Sequence, residues 1–340
     1  MSKRKRSTKD KAREFDRRAM EETSAKIGQL LKDKNFNSME EANQFLMENL
    51  FALNTGQIEF KPETPLEQAQ SIMWEAFDTS HPKKRISLAH KAIKVCPDCA
   101  DAYVLLAEED AQTNKEAIEY YRKGVEAGRR ALGEEVCNDP DATSFWSDHS
   151  TRPYMRAMAG LAGVLNEEGN VEEAIDIWKE LLRLNPTDNQ GIRWILTPVL
   201  IGENRLSEAE KLLNQFDDDF TAHMYYSKAI LLFKKMGDCS QAQTALEKAL
   251  KHNRHVISVL FSLEEMPEDS GLFSPGSPEE AANYLSASTK TWLEDESTVT
   301  WITEFIAKKL HNYGLTKTFP GLTSDTTSNN VVNINSFPGR

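Results

Sequence analysis

The chain has 340 residues, 39% of them hydrophobic and 28% charged, with a formal net charge of −12, a soluble, charge-rich balance long enough for about two ordinary domains or one extended array of repeats. No apolar run approaches the roughly 18 to 20 residues that cross a bilayer, and no apolar segment follows the basic start as a secretory leader would require, so a cytoplasmic protein without a membrane partner is expected. Four cysteines, Cys96, Cys99, Cys137 and Cys239, are too few for a disulfide scaffold and agree with a reducing compartment.

Residues 1–18 hold nine Lys/Arg against three Asp/Glu, a charge of +6 that leaves −18 for the remainder. This basic head reads as a disordered terminus. Its clustered cations also suit a weak nucleic-acid contact, which is the alternative functional reading for residues 1–18. An N-terminal helical segment is expected over 19–53. Phe15, Ala19, Ile27, Leu30 and Leu31 keep loosely to helical spacing leading into and through its first part, and Ser38 with Glu41 predicts a reciprocal capping box opening a second helix. Residues 54–64, "NTGQIEFKPET", have no period and read as a linker.

From Pro65 the apolar spacing is helical throughout, and residues 65–262 are expected to form a solenoid of paired helices. In "NEEGNVEEAIDIWKELLRLNP" the positions follow a unit of about 34 residues, the length of a tetratricopeptide helix pair. Met158, Leu161, Ala162 and Leu165 stripe one helix, and Ala174, Trp178 and Leu181 the next. Gly169 falls at the turn, where a left-handed backbone costs glycine little, and Pro186 stops the second helix. Weaker copies surround Ala89, Ala92 and Pro97 upstream. Downstream, Asn204 and Gly237 hold the turns. Residues 133–153 form an acidic loop containing Phe145 and Trp146, expected to pack back on the array, and residues 263–277 form a second loop. Ser277, Pro278 and Glu280 open a C-terminal helical cap over 278–313, and a disordered tail is expected over 314–340.

The segments "PLEQAQSIMWEAF", "KVCPDCADAYVLLAEE", "TRPYMRAMAGLAGVL", "LLRLNPTDNQGIR" and "ALEKALKHNRHV" together resemble a bacterial tetratricopeptide family related to the suppressor-of-tumorigenicity-7 proteins. The resemblance covers about residues 65–305 and departs at Arg254, where that pattern has proline. It implies an all-α fold and a role in protein association, and it implies no catalytic residues. The fold expected is therefore all-α: a right-handed α-solenoid of antiparallel helix pairs, with N-terminal helices and a C-terminal cap.

Chemistry-bearing motifs are sparse. "CPDC", Cys96 to Cys99, has the spacing of a redox dithiol or half a zinc site, but Pro97 places it in an inter-repeat loop, and incidental thiols are the expectation. "HNRH", His252 to His255, sits at a helix end. Nucleotide, metalloprotease and nucleophile-elbow motifs are absent from the sequence, so neither a catalytic activity, a cofactor nor a metal is expected. The first helices of the central repeats offer the better candidates. Arg152, Tyr154, Arg156, Asn166, Gln190, Arg193 and Trp194 would line a groove in which guanidinium forks and amides hold the carboxylates and backbone of a partner protein or peptide. The other reading of the same residues is that they fix repeat-to-repeat packing.

Overall fold

A computed structural model of the chain describes residues 17–32, 34–55, 57–59, 61–139, 141–261, 264–267, 273–293 and 295–312. Among them there is no strand, and no helix is long and apolar enough to cross a membrane. The basic head up to residue 16 and the tail from 313 lie outside the described residues. The chain divides into two compact units, Met1–Asn189 and Gln190–Arg340.

The first unit contains α1 (Arg17–Leu31), α2 (Met39–Asn54), α3 (Pro65–Asp78), α4 (Pro82–Val95), α5 (Ala100–Glu109), α6 (Asn114–Leu132), α7 (Glu134–Asn138), α8 (Arg152–Glu167) and α9 (Val171–Leu184). Consecutive helices pair as α3 with α4, α5 with α6 and α8 with α9, while α4 packs on α5 and α6 on α8. Helix starts follow local chemistry. Thr64 opens α3 with a full capping box: its hydroxyl accepts from the Glu67 amide at 3.2 Å, and the Glu67 carboxylate accepts from the Thr64 amide at 2.9 Å. The box expected at Ser38 is only half made. Ser38 caps the Glu41 amide at 3.2 Å, but the Glu41 carboxylate reaches one residue further back, to the Asn37 amide at 2.8 Å.

The apolar stripes of α8 and α9 are buried, with Ala174 at 0% exposure and Trp178 at 1%, and Gly169 turns the chain between them at φ 83°. Helices α6 and α8 approach closely at Gly128, where a Cβ would lie 2.8 Å from that of Tyr154. Residues 133–153, expected as loop, contain α7 and two single turns of 3-10 helix, Phe145–Ser147 and His149–Thr151. Phe145 is buried with its ring 6.5 Å from that of Tyr154, so this segment does fold back onto its unit. Helix α2 is the exposed member, showing Met39, Met47, Leu50 and Phe51 to solvent.

The second unit contains α10 (Ile192–Gly202), α11 (Leu206–Gln215), α12 (Ala222–Met236), α13 (Ser240–His252), α14 (His255–Leu260), α15 (Pro278–Leu293) and α16 (Glu296–Asn312). Helices α10 and α11, and α12 and α13, form pairs; α15 packs on α10, α12 and α14. Asn204 takes the turn after α10 with φ 56°, the left-handed conformation that asparagine tolerates. Ser277 caps α15 through the Glu280 amide at 3.2 Å. The core is aromatic: Tyr226 and Tyr284 stack at 5.6 Å, and the Tyr226 hydroxyl donates to the Asn253 carbonyl at 2.7 Å.

Candidate partner-binding site

The candidate residues divide between the units. Arg152, Tyr154, Arg156 and Asn166 all ride on α8, and Gln190, Arg193 and Trp194 belong to the second unit, at and just before the start of α10.

In the first unit, the helical spacing of α8 sets Arg152 and Arg156 one turn apart on the same face. Arg156 is 18% exposed at its side chain and holds two carboxylates at once. Its Nε and Nη2 donate to Asp101 of α5 at 2.9 and 2.8 Å, and its Nη1 and Nη2 donate to Glu21 of α1 at 2.7 and 3.0 Å. Asp101 is fully buried and also accepts from Gln70 of α3 at 2.9 Å. Burial by itself would push the Arg156 guanidinium down; Asp101 and Glu21 outweigh it and hold its pKa above the ordinary range, so the group stays charged. Arg152 lies 3.8 Å from Glu21, donates to the Trp146 carbonyl at 2.9 Å and stacks over the Trp146 ring at 4.4 Å. Three helices, 135 residues apart at the extremes, thus meet on one cation, with α3 joined to them through Asp101, a bidentate arrangement that guanidinium forms and ammonium does not.

Helix α1 lies across this face. Beyond Glu21, Ser24 shares a hydrogen bond with His149 Nε2 at 3.2 Å, and Gln29 exchanges two bonds with the backbone of Lys61, at 2.6 and 2.9 Å. Lys32 pairs with Glu63, and Arg18 covers the Phe77 ring at 4.1 Å. Burial and the neighbouring Arg152 lower the His149 pKa, favouring the neutral ring that Ser24 meets. Between α1 and the rest of the unit remains a cavity of about 820 Å³, walled on the far side by Trp74, Ala100, Gly128, Ala131 and Tyr154. Tyr154 is 5% exposed and packs on Gly128, whereas Asn166 sits half-buried in the last turn of α8, its carbonyl accepting from Gly169 at 3.1 Å.

In the second unit, Arg193 and Trp194 converge on Asp219: Arg193 Nε donates at 2.6 Å and Trp194 Nε1 at 2.8 Å, with the guanidinium over the Trp194 ring at 4.8 Å. Burial would raise the Asp219 carboxyl, but the bonds from Trp194, Arg193 and Thr221 outweigh it and keep the group below the usual range. Gln190 is half-buried just before Gly191, which has φ 75° and where a Cβ would lie 2.9 Å from the Trp194 ring. Beside Trp194 the His223 ring stacks at 5.2 Å and is 1% exposed. Burial pushes its pKa down to about 4, Glu280 and Asp219 opposing. Glu280 itself is fully buried among donors: the Ala222 amide at 2.9 Å, Asn253 Nδ2 at 2.9 Å and the Gly276 amide at 2.7 Å.

The motif residues have structural surroundings. Cys96 ends α4 and Cys99 precedes α5, and both are free thiols; burial, then Asp101, push the Cys99 thiol up, away from thiolate. His252 contacts Glu280 at 3.2 Å and His255 contacts Glu264 at 2.6 Å. Among the described residues no group of three or more His, Cys, Asp and Glu is placed to hold a metal ion.

Sequence reasoning singled out Arg152 and Arg156 but not Glu21 and Asp101, which the structure brings to them, nor Gln70, which bonds Asp101. Glu21, Ser24, Ala25, Gly28, Gln29 and Lys32 follow the spacing i, i+3, i+4, i+7, i+8, i+11, one face of a helix, but that face is small and polar, so a search for apolar stripes passes over it.

A family model described as ST7 protein matches residues 37–261. The chain is 26% identical over 193 residues to the Suppressor of tumorigenicity 7 protein-like of Rattus norvegicus, covering 54% of this chain and 34% of that protein. The Homo sapiens protein of the same name is 25% identical, covering 54% and 33%. The Suppressor of tumorigenicity 7 protein of Mus musculus is 23% identical over 244 residues, covering 59% and 42%. The chain thus spans between a third and a half of the length of these relatives. Asp101, Arg152 and Arg156 lie inside the matched stretch, and α1 with Glu21 lies outside it.

Proposed function

The chain belongs to the ST7 protein family, and on that premise we propose that it is a non-enzymatic cytoplasmic adaptor whose tetratricopeptide-like helix pairs, stacked as a right-handed α-solenoid, bind a helix or peptide of another protein. The observation that carries this reading is the bidentate hold of Arg156 on Glu21, a carboxylate delivered by a separate amphipathic helix. The face built by α5 and α8 already holds a helix, and it recognises that helix through an acidic side chain. Gln190, Arg193 and Trp194 fit the packing alternative better, because Asp219 occupies the two larger side chains. The high pKa direction of Cys99 and its buried position speak for structural thiols over redox chemistry.

The test is capture of partners from native lysate by wild type, Glu21→Gln and Arg156→Lys, the last chosen because it keeps a charge beside Asp101 while removing the planar fork. A protein enriched by Glu21→Gln and lost with Arg156→Lys is expected. The same proteins at the same yield in all three would overturn the reading. A second reading rests on the +6 of residues 1–18, a tether to RNA or ribosomes; it requires salt-sensitive binding that disappears when those residues are deleted.

A further inference from the structure

The helix that occupies the first unit's binding face fills it poorly. The side chains of α1 that line the cavity beyond Glu21 include Ser24, Ala25 and Gly28, and a Cβ built at Gly28 meets nothing within 4 Å. Opposite them stand Ala100 and Ala131 with the larger Trp74 and Tyr154, the last packed against Gly128. The small side chains of α1, with Gly28 exposed at the mouth, leave an open cleft of about 820 Å³ against that wall, bridged by polar ties at Glu21, Ser24 and Gln29. That is the size of a ligand pocket, roughly 300 to 1,000 Å³.

We propose that α1 is an exchangeable stand-in, and that the occupant this face is built for is a partner's amphipathic helix carrying a carboxylate at the register of Glu21 and bulky apolar side chains at the registers of Ser24, Ala25 and Gly28. This rests on the adaptor reading and specifies its partner. The carboxylate is required because displacement of α1 leaves Arg156 with Asp101 alone and Arg152 with no carboxylate from α1. The bulky side chains supply what α1 lacks: they move apolar surface from water into the cavity and make contacts that serine, alanine and glycine do not. An internal helix has a concentration advantage through its tether, so a weakly packed one can remain seated alone and still yield to a better-packed competitor.

Three labelled peptides test this against the full chain carrying Glu21→Gln, which loosens the internal helix, with anisotropy and hydrogen exchange as readouts. The first has the sequence of residues 17–31; the second adds Ser24→Leu, Ala25→Leu and Gly28→Leu; the third adds Glu21→Gln to the second. The second peptide is expected to bind at least about tenfold tighter than the first, with faster exchange across 17–31 of the protein as α1 leaves, and the third to lose at least about tenfold. No binding of the second peptide, or equal binding of first and second with both dependent on Glu21, overturns the filling argument while leaving the adaptor reading intact. Equal binding of second and third removes carboxylate recognition and with it the adaptor reading. Binding with α1 still protected, or a wild-type dimer that the first peptide dissociates, assigns the cavity to another ligand or to a second copy and overturns the proposal. As a check in the intact chain, the three leucine substitutions placed in α1 itself raise the melting temperature and abolish binding of the second peptide; a lowered melting temperature counts against the cavity being fillable.

Discussion

Arg156 donates to carboxylates from two other helices, and losing it leaves buried Asp101 with only the Gln70 amide and buried Glu21 with only Arg152, 3.8 Å away. Arg156→Ala is therefore expected to destabilise the first unit by about 3–5 kcal/mol, the range for removing one partner of a buried ion pair. Arg156→Lys, which keeps the charge and loses the fork, should cost distinctly less. Urea unfolding of the two variants checks this, and equal losses would deny the fork its role. In the second unit the titrating residue is His223. Its pKa of about 4 in the fold lies below the ordinary imidazole value of about 6.5, so the unfolded chain binds the extra proton across that window. Stability is full above pH 6.5 and falls as pH drops towards 4, by roughly 3 kcal/mol in all. His223→Phe should flatten this slope in unfolding curves at pH 7, 6, 5 and 4; an unchanged slope would assign it elsewhere. Neither partnership was legible in the sequence, because both depend on residues brought together from distant helices.

At the scale of elements, two glycines that look alike in sequence have opposite surroundings. Gly28 of α1 faces open space, so Gly28→Ala is expected to gain about 0.5–1 kcal/mol from helix propensity. Gly128 of α6 meets the Tyr154 backbone and Cβ, and Gly128→Ala should cost about 1–3 kcal/mol by forcing α6 and α8 apart. Thermal unfolding of the two single variants gives shifts of opposite sign if this packing is right. Helix ends were more legible than helix contacts. Gly169, Asn204 and Gly237 have the positive φ that their turn positions demanded, and Pro97 and Pro186 lie just past α4 and α9. These signals are local, written in one residue's backbone preference. The Ser38 box half failed for a local reason too: Glu41 found the Asn37 amide, one residue outside the cap.

At the scale of the whole molecule, apolar periodicity disclosed the all-helical character and the helix pairs, because each stripe must be buried by a neighbour. It did not disclose the division after Asn189, since the stripes run on through it without a break in composition. Nor did it show that α1 lies on the face bearing Arg156. The candidate arginines were found because they stand out in an acidic chain, and the acids they hold were missed because such a chain has many. Each unit carries its own buried ionic network, around Arg156 in one and around Glu280 and Asp219 in the other. The arginine substitutions should therefore alter amide exchange in Met1–Asn189, and the acid effect of His223 should appear in Gln190–Arg340.

The sharing of one carboxylate by two guanidiniums has a consequence for how the protein responds to its solution. With α1 seated, Glu21 stands between Arg152 and Arg156; with α1 lifted, Arg156 keeps Asp101 and Arg152 keeps the nearby Asp148 but no ion pair with α1. Small anions stabilise that uncovered state and do little for the covered one, where the charges are already paired out of reach of screening. Ionic strength then acts as a dial on accessibility: exchange across residues 17–31 should quicken from 50 to 500 mM salt, more with sulfate than with chloride, and Arg152→Gln should blunt the response.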